Sequence, residues 1–363
     1  AMAGGAAAFN RESLVWKKCA ACHAPAADGR IPRVEDLRTT PEEWTVIVDR
    51  MRRLHGMTLK GGEMDRLLKE LASTQLLAPV EQEPVAYLSL WHNSQQVEKP
   101  AGPDEEKVYA TCVRCHTAGK ILSYRMTPEA WTKLRDFHLY ISPTVVFTMR
   151  GMRWIPEADA AFAYVAKRLP YGGARSAPAT KLEGNWVIFG YAPGRGTYRG
   201  EAKIADAGNA ELRLSGSFVH ADGTSGTFAG DGTLYGGYAL RTRTSNNGFP
   251  AHGAFIASAD EIHGEWHLPA PDFRTSRSQW LRIGDQPRVA RIVPGYLLAG
   301  EKATLTVEGV NLPDAKASDV AFAGGAVRVL SVRRLAPGAL ELTVVSRAEK
   351  LGTARVSVQG VDA

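Results

Sequence analysis

Cys19-Ala20-Ala21-Cys22-His23 and Cys112-Val113-Arg114-Cys115-His116 are the two stretches from which the rest of the chain can be read. Each is C-x-x-C-H, the spacing at which two thiols add across the vinyl groups of one haem and the next histidine becomes its proximal iron ligand. Two intervening residues let one short turn present both sulfurs to a single porphyrin edge. The motifs use all four cysteines of the 363-residue chain. A structural zinc site made of Cys19, Cys22, Cys112 and Cys115 also needs paired C-x-x-C, but it leaves His23 and His116 unexplained. The spacing predicts two covalently bound haem c groups.

Working outward, the sequence from about 9 to 172 reads as two helical repeats, about 1–80 and 100–172, each opening with a haem motif. Phe9 to Lys18 and Glu105 to Thr111 lead into the two sites as amphipathic segments. The same helix start then recurs: Thr40-Pro41-Glu42-Glu43-Trp44 and Thr127-Pro128-Glu129-Ala130-Trp131. Threonine is a good N-cap, proline suits the first helical position and early glutamate answers the helix dipole. In the first copy Glu43 is expected to complete a capping box with Thr40. A further helix closes each repeat, about 62–77 and 157–169. The Pro-rich stretch 78–104 reads as a connection with a short apolar piece at 85–91, and His92 there reads as a surface residue.

The duplication bears on the distal iron ligands. Met51 stands seven residues past Trp44, and His138 seven past Trp131. Positions i and i+7 share a helix face, so equivalent packing of the two tryptophans aims Met51 and His138 at equivalent places. Both residue types ligate haem iron. The wider candidate set is Met51, His55, Met57 and Met64 in the first repeat, and His138, Met126, Met149 and Met152 in the second. Met57 and Met152 form the second tier, because they share a Gly-Met context. Arg50, Arg52, Arg53, Arg150 and Arg153 lie close by; a solvated charged face explains them, and guanidinium forks also suit haem propionates.

After the Pro/Gly/Ala/Ser-rich stretch 170–181 the texture changes to short strands punctuated by glycine. Strands are predicted at 183–191, 196–205, 210–219, 224–230, 233–243, 252–258, 261–268 and 279–284, with turns at Ala221-Asp222-Gly223 and Gly230-Asp231-Gly232. Regular strands without helices argue for an antiparallel β-barrel over 180–286. Residues 287–363, with Val/Leu strands 8–12 residues apart, read as an immunoglobulin-like β-sandwich without a disulfide. The predicted fold class is thus multidomain: an all-α diheme cytochrome c domain over 1–172, the barrel, then the sandwich. His263 and His267 share a strand face but have no evident third ligand. No hydrolase, phosphate-loop or paired-carboxylate motif stands out in the β modules, so no catalytic residue is assigned.

Composition bounds the rest. Hydrophobic content of 44% and charged content of 23% are those of a globular protein. The net charge of +6 is spread out, which excludes the basic block expected of a nucleic-acid binder. No apolar run reaches the ~20 residues that span a bilayer as a helix. Residues 1–8 lack a charged n-region and an apolar core, so they are not read as a signal peptide. Haem attachment to C-x-x-C-H belongs to the bacterial periplasm or an equivalent oxidising space, and the periplasm is the expected location.

The order of these parts, with the K-C-A-A-C-H, W-x-x-x-x-x-R-M and T-V-V-F-T-M-R-G-M-R-W-I-P segments, resembles the α subunit of quinohemoprotein amine dehydrogenase across essentially the whole chain. The resemblance implies a periplasmic αβγ heterotrimer that oxidatively deaminates primary amines. It implies amine chemistry on a small γ subunit bearing cysteine tryptophylquinone, a β-propeller β subunit, and transfer of electrons through two haems to azurin or a cytochrome c. Haem attachment carries over to Cys19, Cys22, His23, Cys112, Cys115 and His116. The family's α subunit has a further C-terminal β domain, which this sequence, ending at Ala363, does not include. A stand-alone diheme carrier with β binding modules and a diheme peroxidase are the rival readings.

Overall fold

The computed structural model describes residues 9–90, 98–148, 151, 153–175, 180–268, 274–347 and 352–362. Two compact units are distinguished: residues 1–180 with 233–241 and 254–256, and residues 181–232, 242–253 and 257–363.

In the first unit the chain runs α1 (Leu14–Cys19), β1 (Leu37–Thr39), α2 (Pro41–His55), α3 (Glu63–Thr74) and α4 (Pro79–Gln82). A 3₁₀ helix, Glu83–Leu90, follows where the Pro-rich sequence suggested a connection. Then come α5 (Pro103–Cys112), α6 (Ala118–Leu122), β2 (Tyr124–Met126), α7 (Pro128–Ile141), α8 (Val145–Thr148) and α9 (Trp154–Arg168). The closing helix of each repeat, α3 or α9, packs against the helix that ends in the motif and against the helix that starts with Thr-Pro. Buried Leu14, Val15, Trp44, Val48, Leu67, Leu71, Val108, Trp131, Ala161 and Val165 form one continuous core through both repeats.

The expectation of an all-α first domain does not hold. β1 and β2 pair antiparallel, Leu37 with Met126, Arg38 with Arg125 and Thr39 with Tyr124. Each strand also bridges, in parallel, the residue beyond its own closing helix: Thr39 to Leu76 and Met126 to Pro170. Arg38 and Arg125 each stand two residues before the Thr-Pro start of their repeat. The register is therefore centred on equivalent residues, and the two repeats meet about a local pseudo-dyad. These strands are three residues long, too short to show a period of two, while the flanking helices dominate the sequence pattern.

At the dyad two guanidiniums come together, and one carboxylate answers both. The fully buried Arg38 side chain donates to Glu81 at 2.6 and 3.1 Å, to the Leu76 carbonyl at 3.2 Å and to the Tyr171 carbonyl at 2.9 Å. Arg125 Nε lies 3.2 Å from the same Glu81. Glu81 comes from α4, so the segment between the repeats supplies the counter-charge that their shared strand pair needs.

The two Thr-Pro helix starts form as their sequences require. Thr40 Oγ1 accepts from the Glu43 N–H at 3.3 Å, and Thr127 Oγ1 from the Ala130 N–H at 3.2 Å. The carboxylate of Glu43 does not complete the capping box; it turns inward, accepts the Tyr124 hydroxyl at 2.6 Å and pairs with Lys120. Replacing Thr40 or Thr127 by Ala is expected to cost about 1 kcal/mol each, read as a fall in Tm, with the double variant near the sum because the caps serve separate helices.

Beyond the helical repeats, eight antiparallel strands close a barrel in the order β10-β3-β4-β5-β6-β7-β8-β9. They are β3 (Gly184–Ala192), β4 (Gly196–Gly208), β5 (Glu211–His220), β6 (Ser225–Tyr235), β7 (Ala239–Asn246), β8 (Phe249–Ala257), β9 (Glu261–Leu268) and β10 (Arg274–Arg282). Aromatic rings fill the interior: Trp266 stacks on Trp280 at 5.9 Å, and Phe228 meets Trp266 edge-on at 5.5 Å. Gly230-Asp231-Gly232, expected as a turn, lies inside β6. Gly230 is there for close strand approach, since a Cβ at that position would run into the Arg243 carbonyl.

The remaining strands are β11 (Arg288–Val293), β12 (Lys302–Val310), β13 (Val320–Phe322), β14 (Val327–Ala336), β15 (Ala339–Ser346), β16 (Val356–Val358) and β17 (Val361–Asp362). They form one sheet ordered β11-β12-β15-β14 and a second ordered β13-β16-β17. Residues of both sheets, among them Leu305, Val307, Leu342, Val344, Val356 and Val358, bury a common core. Arg291 joins this module to the barrel by donating to the Gly190 and Tyr198 carbonyls at 2.6 and 3.1 Å while paired with Glu308.

Candidate haem sites

The two C-x-x-C-H motifs occupy equivalent places. In each, the first cysteine is the last residue of a helix, Cys19 of α1 and Cys112 of α5, and the chain then turns sharply. The Cys22 N–H donates to the Cys19 carbonyl at 3.1 Å and the Cys115 N–H to the Cys112 carbonyl at 3.3 Å. Burial, reinforced by the neighbouring second thiol, pushes the Cys19 and Cys112 thiols up to about 11. Cys22 and Cys115 are exposed, and all four cysteines are free of disulfides. Each site thus offers one thiol from inside the fold and one from its rim.

Both motifs open on one cavity of about 640 Å³. Cys19, His23, Trp44, Met51, His55 and Met57 line it from the first repeat, and Cys112, His116, Met126, Trp131 and His138 from the second. Val48, Leu71, Phe162 and Val165 supply apolar wall. The i+7 reading from Trp44 and Trp131 therefore places Met51 and His138 on the same cavity as the motif histidines.

The second site carries the more specific geometry. The His116 and His138 ring centroids lie 6.5 Å apart, with the ring planes tilted by 51°. Imidazole nitrogens bind first-row metals at about 2 Å, so two rings sharing one metal stand about 6 Å apart, centre to centre. His138 Nδ1–H donates to the Leu134 carbonyl at 2.8 Å and His116 Nδ1–H to the Thr117 carbonyl at 3.1 Å. Each bond fixes the tautomer that leaves Nε2 with its lone pair, the usual arrangement behind a ligating histidine. Burial among Phe162 and Trp154, 5.9 and 6.3 Å away, lowers the His138 pKa; the Leu134 bond opposes this, and the nearby charges of His116 and Arg50 add to the lowering. The ring is held neutral, as ligation requires. The donor set fits a haem iron.

The first site is less closed. Burial, then Arg33 and His55, lower the His23 pKa. Met51 is half-buried on α2, whereas His55, one turn on, is exposed at the helix end. Beyond it Gly56 takes a left-handed conformation (φ 71°) and sends Met57 back toward the core, its N–H donating to the Met51 carbonyl at 3.1 Å. Met51, His55 and Met57 all reach the cavity. Met64 packs against the core from α3, and Met126 is buried on β2. Met149, Met152, Arg150 and His92 lie outside the described residues.

The arginines divide. Arg52 and Arg53 are exposed and pair with Asp49 at 3.3 and 2.6 Å. Arg50 lies over the Phe137 ring at 4.7 Å and lines the cavity. Sequence reasoning missed Arg33, held at φ 69° as its N–H donates to Asp36 at 2.9 Å, and the group of Lys120, Tyr124 and Glu43. Of these, Arg33, Lys120 and Tyr124 line the cavity. Only the place of Lys120, four residues past His116, hinted at such a role. On the barrel, His267 is buried and His263 lies 4.0 Å from Glu261. Among the described residues no three of His, Cys, Asp or Glu gather as a metal site, and no helix is long and apolar enough to cross a membrane.

A cavity walled by two C-x-x-C-H motifs, carried ahead of a closed barrel and a two-sheet module, defines a haem-binding protein with appended β domains. Three consecutive matches give the family. Residues 9–169 match the haem-binding domain of the quinohemoprotein amine dehydrogenase α subunit, 179–278 its domain II and 286–362 its domain III. The chain belongs to the quinohemoprotein amine dehydrogenase α subunit family. No curated protein matches it in a sequence search. Similar solved structures include a redesigned β-barrel, mFAP1, bound to DFHBI (16% identity, 28% of this chain, 94% of that one, TM-score 0.26). Another is Rv2717c from M. tuberculosis (14% identity, 48% of this chain, 100% of that one, TM-score 0.20).

Proposed function

We propose that this chain is the electron-transfer subunit of a periplasmic amine dehydrogenase and carries two covalent haem c groups. Cys19 and Cys22 attach the first, and Cys112 and Cys115 the second. His23 and His116 are the proximal ligands; His138 is the distal ligand of the second haem and Met51 of the first, with Met57 the alternative there. The observation that carries this reading is the single cavity onto which both motif histidines and both i+7 residues open. Amine oxidation takes place on a partner subunit bearing cysteine tryptophylquinone, with a β-propeller subunit completing a heterotrimer. Azurin or a cytochrome c takes the electrons away.

The bound haems supply one-electron redox chemistry; the chain's residues set its conditions. The carbonyls of Leu134 and Thr117 hold the two imidazoles in the tautomer that ligates. Trp44, Val48, Trp131 and Phe162 keep the cavity wall apolar, which favours the less charged, reduced state. Methionine ligation raises a haem's potential relative to histidine, so a haem held by Met51 would have the higher potential of the two. Thioether attachment is a chemistry of oxidising compartments, which supports the periplasmic assignment.

The test is expression with haem c maturation, followed by intact mass and pyridine haemochrome analysis. The expected result is two added haem masses in the wild type and one in each of the C19A/C22A and C112A/C115A variants. Wild type without added haem mass refutes the reading. Copurification from a native host with a quinone-bearing small subunit separates the dehydrogenase from a stand-alone carrier.

A further inference from the structure

Arg50 is a cation on the haem cavity that the fold leaves unanswered. Its neighbours Arg52 and Arg53 pair with Asp49 at 3.3 and 2.6 Å. Arg50, half-buried on the same helix, has no hydrogen bond or ion pair among the described residues. Its guanidinium instead lies over the Phe137 ring at 4.7 Å, and both residues line the cavity. The carboxylate on that wall, Asp136, is engaged by Arg135 at 2.6 Å. Glu43, also on α2, is held by Tyr124 and Lys120. No nitrogen of Arg50 is sealed within the protein without a partner, so a group entering the cavity can reach the guanidinium. A charge set against an apolar wall without a counter-ion is costly. The arginine therefore points to an anion that arrives with the cavity's occupant.

The repeats identify which haem brings it. Arg50 stands six residues past Trp44, and Phe137 six past Trp131. The two are thus equivalent positions, stacked on one another where the repeats meet, and the second repeat carries a ring where the first carries a guanidinium. Consecutive residues of a helix are set about 100° apart, so Arg50 is turned away from Met51 and toward α7. Its charge is felt there: it helps to lower the His138 pKa and opposes the rise in that of Tyr124. At the first site the corresponding charge is that of Arg33, which helps to lower the His23 pKa. The anions a haem presents at its rim are its two propionates, and a guanidinium fork meets a carboxylate with two parallel hydrogen bonds. We propose that Arg50, on the helix of the first repeat, binds a propionate of the second haem, the one held by Cys112, Cys115, His116 and His138. This rests on the haem assignment made above. A positive charge at that place favours the ferrous state, so a residue of one repeat tunes the potential of the haem in the other.

The experiment uses the full-length haem-loaded protein with Arg50→Gln and with Arg50→Lys. A spectroelectrochemical titration reads the two midpoint potentials, and resonance Raman reads the propionate bending modes. The C19A/C22A variant, which keeps only the second haem, supplies that haem's reference spectrum. Arg50→Gln is expected to shift the second haem's bending modes and to move its ferric/ferrous equilibrium about tenfold toward ferric. That is the effect of a unit charge about 10 Å from the iron at an effective dielectric constant of about 20. The first haem should move less. Arg50→Lys keeps the charge and loses the fork, so the potential should stay near that of the wild type while the bending modes still shift. Both haems present by mass, with potentials and bending modes unchanged in Arg50→Gln, overturns the pairing. An equal or larger response at the first haem overturns it too. If Arg50→Gln does not fold, the Arg50→Lys bending modes decide: a shift at the second haem supports the pairing, and none overturns it. A wild type without haem at the second motif overturns the assignment beneath it as well.

Discussion

His138→Met is expected to keep the second haem covalently bound and low-spin while raising its midpoint potential by on the order of 0.1–0.3 V, a fraction of the ~0.8 V that axial ligation spans. His138→Ala should instead give a five-coordinate, high-spin ferric spectrum. The argument is geometric. The imidazole centroid lies 6.5 Å from that of His116 and Nδ1 is engaged by Leu134, so Nε2 is the atom left to bind. Met51→His is the mirror experiment and should lower the other potential. Spectra and potentials that do not respond in the His138 variants would remove His138 as a ligand.

Glu81→Gln is expected to destabilise the first domain by about 3 kcal/mol or more, the usual result of removing one partner from a buried ion pair. Two guanidiniums depend on this carboxylate, and the Arg38 side chain is fully buried. Partial burial alone would raise the Glu81 pKa. The Arg38 hydrogen bond, the Ala78 N–H and the charges of Arg38 and Arg125 more than reverse that and hold it at about 2. A carboxylate whose folded pKa is depressed contributes stability that is fully present above its unfolded value of 4.5. That contribution is lost as pH falls toward about 2, and its size follows as about 3 kcal/mol. Denaturant midpoints for wild type and variant should therefore differ by a constant amount above pH 5 and converge toward pH 2. A gap that persists at pH 2 would show that the loss is one of packing rather than charge.

What the sequence made legible was whatever repeats or has fixed spacing. The two motifs, the Thr-Pro helix starts and the seven-residue step to Met51 and His138 are short-range patterns, and His23, His116, Met51 and His138 line one cavity. Arg38 was not legible. A lone arginine in a three-residue strand carries no signal that it is fully buried, because its burial depends on Glu81 in α4 and on the Tyr171 carbonyl, both remote in sequence. Glu43 misled for a related reason. Its capping-box spacing is genuine, but Tyr124 and Lys120 of the other repeat compete for the same carboxylate and hold it. The Gly230-Asp231-Gly232 error was one of local sequence: a glycine pair reads as a turn unless the strand crossing it is known.

The pairing of β1 with β2 has a further consequence. A register centred on Arg38 and Arg125 is the one that two identical chains would adopt in a homodimer, each lending the same edge to the other. One polypeptide now holds both partners, and with them an old difficulty: like charges brought face to face by symmetry. Glu81 resolves it from outside the symmetric pair, so neither repeat, expressed alone, would inherit both the edge it needs to cover and the ion that neutralises it.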